Sequence, residues 1–124
     1  MNEKQKLVQP LFLNINGSPK LHKQLLLHIL NKYLLVNEIK TDTKHYFEFN
    51  GKREGEFKAW YSYGQLRVNC FYQNGKKEGE YKAWYYHGQQ QLHISYQNDK
   101  LHGEYNEWHR NGQLWYHCFY KNGR

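Results

Sequence analysis

Eight histidines, two cysteines and a recurrent pairing of glutamates are the side chains of this chain that could do chemistry. His102, His109 and His117 lie close in sequence and invite a zinc reading, which requires each ligand to come within about 2.1 Å of one ion. Cys70 and Cys118 could be bridged only if their Cα atoms approach to about 7 Å or less. Glu54/Glu56, Glu78/Glu80 and Glu104/Glu107 have the form of acid–base pairs. No phosphate-binding loop, dinucleotide fingerprint or nucleophile elbow accompanies them. Whether any of these groups converge depends on the elements that carry them.

Those elements form a repeat. The string GEFKAWYSYGQL at 55–66 returns as GEYKAWYYHGQQ at 79–90 and GEYNEWHRNGQL at 103–114, a spacing of 24 residues each time without insertion. A second string keeps the same phase: NGK at 50–52, NGK at 74–76, NDK at 98–100 and NGR at 122–124. Gly51, Gly55, Gly64, Gly75, Gly79, Gly88, Gly103 and Gly112 are therefore read as structural turn positions. Asn74-Gly75, Asn111-Gly112 and Asn122-Gly123 suit type I′ hairpin turns, with Tyr63-Gly64 and His87-Gly88 standing where Asn111-Gly112 stands. The segments between turns are short enough for single strands, so each copy predicts a β-hairpin.

Alternation has the period of strands. Leu66, Val68, Cys70 and Tyr72 fall on one face and Arg67 and Asn69 on the other; Phe57, Ala59 and Tyr61 oppose Glu56, Lys58 and Trp60. Stacking the copies side by side would line up Trp60, Trp84 and Trp108 in one row and Phe57, Tyr81 and Tyr105 in another. One row packs inside, the other is offered to a partner, and alternation alone does not choose between them.

The repeat disperses the candidate chemistry. Cys70 and Cys118 occupy equivalent places two copies apart, which at about 4.8 Å per strand separates them by about 19 Å. They are expected to stay reduced and to fill space, as Ile94 does between them. His93 and His117 are equivalent positions of adjacent copies, two strands or about 9.6 Å apart, too far to share one zinc. Glutamates that recur in every copy read as architecture, whereas a catalytic site is a single asymmetric constellation. The expectation is therefore a non-enzyme with no metal, no cofactor and no small-molecule substrate.

The pattern Y-x-N-G-K-x-x-G-E-Y-K-x-W-Y-x-x-G-Q-L over about 46–124 resembles the MORN repeat family, in particular the variant form of antitoxin-like bacterial proteins and large DNA viruses. The resemblance implies hairpins stacked into an elongated twisted sheet, and a role as scaffold, dimerisation platform or peripheral membrane binder. Asp99 departs from the turn glycine, Gln90 from the leucine of the motif, and His109 from the aromatic at Tyr61 and Tyr85.

Ahead of the repeats, Ser18 and Pro19 mark a helix start, as N-cap and first helical residue. Leu25, Ile29 and Tyr33, flanked by Leu26, Leu30 and Leu34, make an apolar arc broad enough to predict burial, with the helix over about 19–35 capping the repeat stack. SPKLHKQLLLHILNKYLL also has a faint likeness to the opening of an F-box, whose partner would be a ubiquitin-ligase adaptor. Residues 1–45 carry seven lysines against Glu3, Glu38 and Asp42, +4 of the chain's net +7. Lysine outnumbers arginine fourteen to four, which favours diffuse attraction over bidentate phosphate recognition. No secretory signal and no apolar run near the roughly 18 residues of a membrane span is seen, so an intracellular, cytoplasmic protein is expected. Abundant Lys, Asn, Tyr and Ile match an AT-rich genome, and a viral origin would allow association with the virion.

The expected architecture is thus mainly β: an N-terminal segment, 1–45, with a capping helix, and three hairpin repeats over 46–124 forming an open antiparallel meander. The expected function is a protein-interaction scaffold. Partner binding is assigned to Trp60, Trp84 and Trp108 and to the last strand, through Trp115, Tyr116, Phe119 and Tyr120. An edge strand that no further hairpin covers invites another chain, either a protein partner or a second copy. The alternatives are an acidic membrane surface bound through the basic N-terminal region, or an antitoxin-like or F-box-like adaptor; nucleic acid is disfavoured because Glu56, Glu80 and Glu104 share the tryptophan face.

Overall fold

Asparagine and glycine at two successive turn positions fold the chain back on itself once per repeat. In the computed structural model, which describes residues 19–124, Asn50 and Gly51 have φ of 52° and 73°, Asn74 and Gly75 53° and 79°, and Asn122 and Gly123 52° and 84°. Left-handed backbone at both central residues is the requirement of a type I′ turn, whose twist matches that of the flanking strands. Asp99 keeps this conformation at φ 70° without being a glycine.

The strands so connected are β1 (Asn37–Lys40), β2 (Lys44–Phe49), β3 (Lys52–Arg53), β4 (Gly55–Trp60), β5 (Leu66–Gln73), β6 (Lys76–Trp84), β7 (Gln90–Gln97), β8 (Lys100–Trp108) and β9 (Leu114–Tyr120). They form one open antiparallel sheet in the order β1-β2-β4-β5-β6-β7-β8-β9, with the short β3 paired to β2. Sequence order equals spatial order from β4 onward, as expected of a hairpin meander.

Two of the turn assignments need correction. At the second turn of each repeat only the glycine is left-handed: Gly64, Gly88 and Gly112 have φ of 99°, 95° and 90°, while Tyr63, His87 and Asn111 do not. The Gly64 N–H donates to the Tyr61 carbonyl at 3.0 Å, closing a three-residue loop whose last member is left-handed, the other common hairpin solution. Asn111-Gly112 therefore looks like a type I′ signal without being one. Gly55, Gly79 and Gly103 are not at hairpin turns either. They are left-handed positions inside or at the start of strands, and around Gly79 the register slips from Cys70↔Tyr81 to Tyr72↔Lys77. These glycines make β-bulges, which bend the strand and increase its twist.

The face carrying Phe57, Ala59, Cys70, Ala83 and Ile94 is the buried one; Tyr46, Val68, Tyr72 and Tyr81 pack against its centre. Large rings lie over small side chains. Phe57 and Tyr72 meet at 6.0 Å between centroids, Tyr81 and Tyr96 at 6.0 Å, and Tyr105 and Tyr120 at 5.7 Å, the same pair in each copy. The Arg53 guanidinium sits 4.6 Å over the Phe57 ring and the Lys77 ammonium 4.9 Å over Tyr96, each spreading its apolar stem across the rings beneath. Leu101 occupies the equivalent place in the third copy.

The chain divides into two compact units, Met1–Asn37 and Glu38–Arg124. In the second unit Lys44 and His45 pair with Ala59 and Lys58. In the first unit α1 spans Pro19–Leu35, matching the predicted helix, while Ser18 lies outside the described residues. The predicted burial of the whole leucine arc is not what is found. Ile29 is buried, but Leu34 is 71% exposed and Leu25 and Leu30 are also exposed. With leucines on most sides of the helix, a single contact stripe cannot cover them all.

Candidate functional site

Within the sheet, each copy holds the next by the same set of bonds. The Tyr61 hydroxyl donates to the Trp84 carbonyl at 2.7 Å, and the Tyr85 hydroxyl to the Trp108 carbonyl at 2.8 Å. Tyr63 donates likewise to the Tyr86 carbonyl, and His87 bonds the Arg110 carbonyl at 2.8 Å. At the other end of the hairpins the Asn74 N–H donates to the Glu54 carboxylate and the Asn98 N–H to that of Glu78, both at 2.8 Å. His102 stands in the third position of this series and accepts from the Asn122 N–H at 3.3 Å.

The repeated glutamates of the opposite face are engaged both within their own strand and across to the next. Glu56 meets Lys58 at 3.4 Å and accepts from Asn69 at 3.2 Å. Glu80 lies between His93 at 3.2 Å and Lys82 at 3.5 Å, and Glu104 is 3.3 Å from His117. The His93 hydrogen bond, with the Lys82 charge beside it, holds the Glu80 carboxyl below the usual carboxylate range. Burial pushes the Cys70 thiol up, against smaller opposing effects of Tyr72, Lys77 and Arg53. Burial together with the Glu107 carboxylate raises the Tyr105 phenol to about 12.

Cys70 and Cys118 are free, on β5 and β9, with three strands between them in the sheet order. Among the described residues no cluster of three or more His, Cys, Asp or Glu is placed to hold a metal ion. His109 packs on Trp115 instead, at 5.1 Å between rings.

The residues assigned to partner binding separate into two groups. Trp60, Trp84 and Trp108 are half-buried, one per hairpin. Trp115, Tyr116 and Phe119 are gathered on β9 and, with Leu114, are exposed by 60%, 47%, 69% and 55% respectively. Tyr120 is the exception: half-buried against Tyr105, it belongs to the aromatic packing of the sheet. β9 is bonded on one side only, to β8. No family model, curated protein or solved structure matches the chain.

β9 differs from its own counterparts. Positions 67, 91 and 115 are Arg, Gln and Trp, and positions 71, 95 and 119 are Phe, Ser and Phe. The last strand, LWYHCFY, contains no Lys, Arg, Asp or Glu. Edge strands that must stay alone normally carry charges, above all lysine; β1, at the other edge, is NEIK. Beside β9, Tyr85, His109, Arg110, Asn111 and Gln113 line an open groove of about 550 Å³. In the earlier copies the glutamine equivalent to Gln113 lies against the glycine of the following turn, Gln65 at Gly88 and Gln89 at Gly112.

Proposed function

We propose that the chain is a non-enzymatic protein-interaction module of MORN-repeat type, which receives a protein partner along β9. One observation carries the reading: a seven-residue edge strand without a formal charge exposes Leu114, Trp115, Tyr116 and Phe119. Unpaired backbone groups bind by strand addition, and the alternating side chains select the partner. An intracellular setting fits the two free thiols. The paired Glu56, Glu80 and Glu104 speak against nucleic acid on the other face. The test is cross-linking capture with the full chain and with Trp115→Lys/Phe119→Lys, folding being checked by circular dichroism. Proteins retained by the parent chain and lost from the charged variant are expected; identical capture by both would remove the proposal.

A second reading, docking to acidic membranes, has its own observation in the exposed Leu27, Leu30 and Leu34 of a helix that also carries Lys23 and Lys32. No helix among the described residues is long and apolar enough to cross a membrane, so contact would be at the surface. Flotation with anionic but not neutral vesicles is the expected result of this reading, and absence of flotation with both ends it.

A further inference from the structure

We infer that the third repeat carries a binding site for a quaternary ammonium group, formed by the rings of Tyr105, Tyr116 and Tyr120 with the Glu107 carboxylate beside them. The site lies on the packed face of the sheet and does not rest on β9 receiving another strand.

The first two repeats show what this face binds, because each fills it from its own chain. The Arg53 guanidinium stands 5.2, 4.6 and 5.3 Å from the ring centroids of Tyr46, Phe57 and Tyr72, and the Lys77 ammonium 5.5 and 4.9 Å from those of Tyr81 and Tyr96. Ring faces attract such cations through their negative quadrupole. The third repeat keeps the rings, with Tyr105 and Tyr120 5.7 Å apart, and has Leu101 in place of the cation. Leucine supplies the start of the aliphatic stem and stops short of the charge. Each cation precedes, in its own repeat, the rings it covers: Arg53 before Phe57 and Tyr72, Lys77 before Tyr81 and Tyr96. By the same rule a strand beyond β9 would bring its cation to its own rings, and the set at Leu101 is complete within β8 and β9.

Two further departures from the repeat fall at the same place. Where the earlier repeats have Val68 and Leu92 the third has Tyr116, a third ring that meets Tyr105 at 5.8 Å and 79°, while Tyr120 is tilted from Tyr105 by 56°. Where they have Ala59 and Ala83 it has Glu107, whose Oε2 accepts from the Tyr105 hydroxyl at 3.2 Å. Rings set at steep angles to one another form the kind of aromatic box by which proteins recognise quaternary ammonium ions. The carboxylate adds the attraction of an opposite charge. A primary ammonium leaving water for ring faces brings three N–H donors to satisfy, and Glu107 is already shared with Tyr105. A fully methylated nitrogen brings none. Tyr116 is 47% exposed, so the box opens to solvent and a ligand enters without unpairing the sheet.

Proton NMR of the full chain titrated with choline tests the inference. The ring signals of Tyr105, Tyr116 and Tyr120 are expected to shift with a dissociation constant on the order of 1 mM. The uncharged isostere of choline, with carbon in place of the nitrogen, is expected to bind at least about tenfold more weakly. Three variants each restore a residue of an earlier repeat, so the fold is expected to persist, as circular dichroism would verify. Leu101→Lys should weaken choline binding at least about tenfold by filling the site from within, as Lys77 does in the second repeat. Tyr116→Leu and Glu107→Ala should weaken it several-fold. A peptide bearing trimethyl-lysine then identifies the source of the group: binding tighter than choline, and lost without the methyl groups, marks a modified protein, and binding equal to choline marks a small molecule. No shift of these rings with choline, equal binding of the uncharged isostere, or unchanged binding to folded Leu101→Lys overturns the inference.

Discussion

The first two hairpins and the third have the same backbone and different surroundings. Tyr61 and Tyr85 each donate to a carbonyl of the following hairpin, and Glu54 and Glu78 each hold the following turn. In the third hairpin these positions are His109 and His102, and the position of Arg53 and Lys77 is Leu101. Two copies thus keep the bonding side chains unchanged in role, and the third carries histidine and an apolar residue in their places, His102 still accepting from the Asn122 N–H. In stacked repeats stability is a sum of unit and interface terms. Departures from the period therefore mark where the interface term changes, and here they collect beside β9.

The largest expected contrast is in the aromatic rows. Phe57 is buried beneath Arg53 and between Tyr46 and Tyr72. Phe57→Ala should lose about 3–5 kcal/mol, the usual range for a buried ring. Tyr105→Ala, next to the open edge, should lose distinctly less, because Tyr116 and Tyr120 on its β9 side can move into the space. Urea unfolding of the two variants measures the difference, and equal losses would remove the distinction between interior and edge.

Next come the bonds between hairpins. Tyr85→Phe removes a half-buried hydroxyl bond to the Trp108 carbonyl and should cost about 1 kcal/mol. His109→Tyr restores the repeat residue at a position for which the described residues hold no counterpart of the Trp84 and Trp108 carbonyls, and should change stability by less than about 0.5 kcal/mol. A gain well above that from His109→Tyr would mean that β9 already has a cover.

His102→Glu sharpens the comparison at the turns. His102 accepts from the Asn122 N–H at 3.3 Å, whereas Glu54 and Glu78 accept at 2.8 Å from the equivalent donors. A charged acceptor forms the stronger bond. The substitution should stabilise the last turn by about 0.5–1 kcal/mol and raise hydrogen-exchange protection at Asn122.

The period of 24, the strand alternation, the helix over 19–35 and the Asn-Gly turns were all readable from residue types, because each has a local cause. Asn111-Gly112 misled because the same dipeptide serves both a two-residue and a three-residue loop. The α1 leucines misled because periodicity tells which residues share a side, not what covers them. The roles of Tyr61, Glu54 and Arg53 were not legible at all, although each recurs in the next copy. A hydroxyl or carboxylate reaching a backbone group some 20 residues away depends on stacking offset and bulge geometry. Their fixed spacing was the available signal. For the site, Trp115, Tyr116 and Phe119 are exposed together on β9, whereas Tyr120 could be assigned to the packed face only once its ring was seen against Tyr105.

The smallest effect separates the charged rows of the second and third hairpins. Glu80 is flanked by both His93 and Lys82, while Glu104 has His117 and, in place of the lysine, Asn106. The folded state lowers the Glu80 pKa from its ordinary 4.5, so its contribution is fully present above that value and is lost as the pH falls through the folded pKa. Glu80 is 56% exposed, which limits the effect to less than about 1 kcal/mol. Glu80→Gln should flatten the acid side of the stability profile below pH 4.5, and Asn106→Lys should steepen it by giving Glu104 the partner that Glu80 has. Thermal unfolding across that pH range in low salt reads both slopes. An unchanged slope in Glu80→Gln would show that the His93 and Lys82 contacts are too solvated to stabilise the fold.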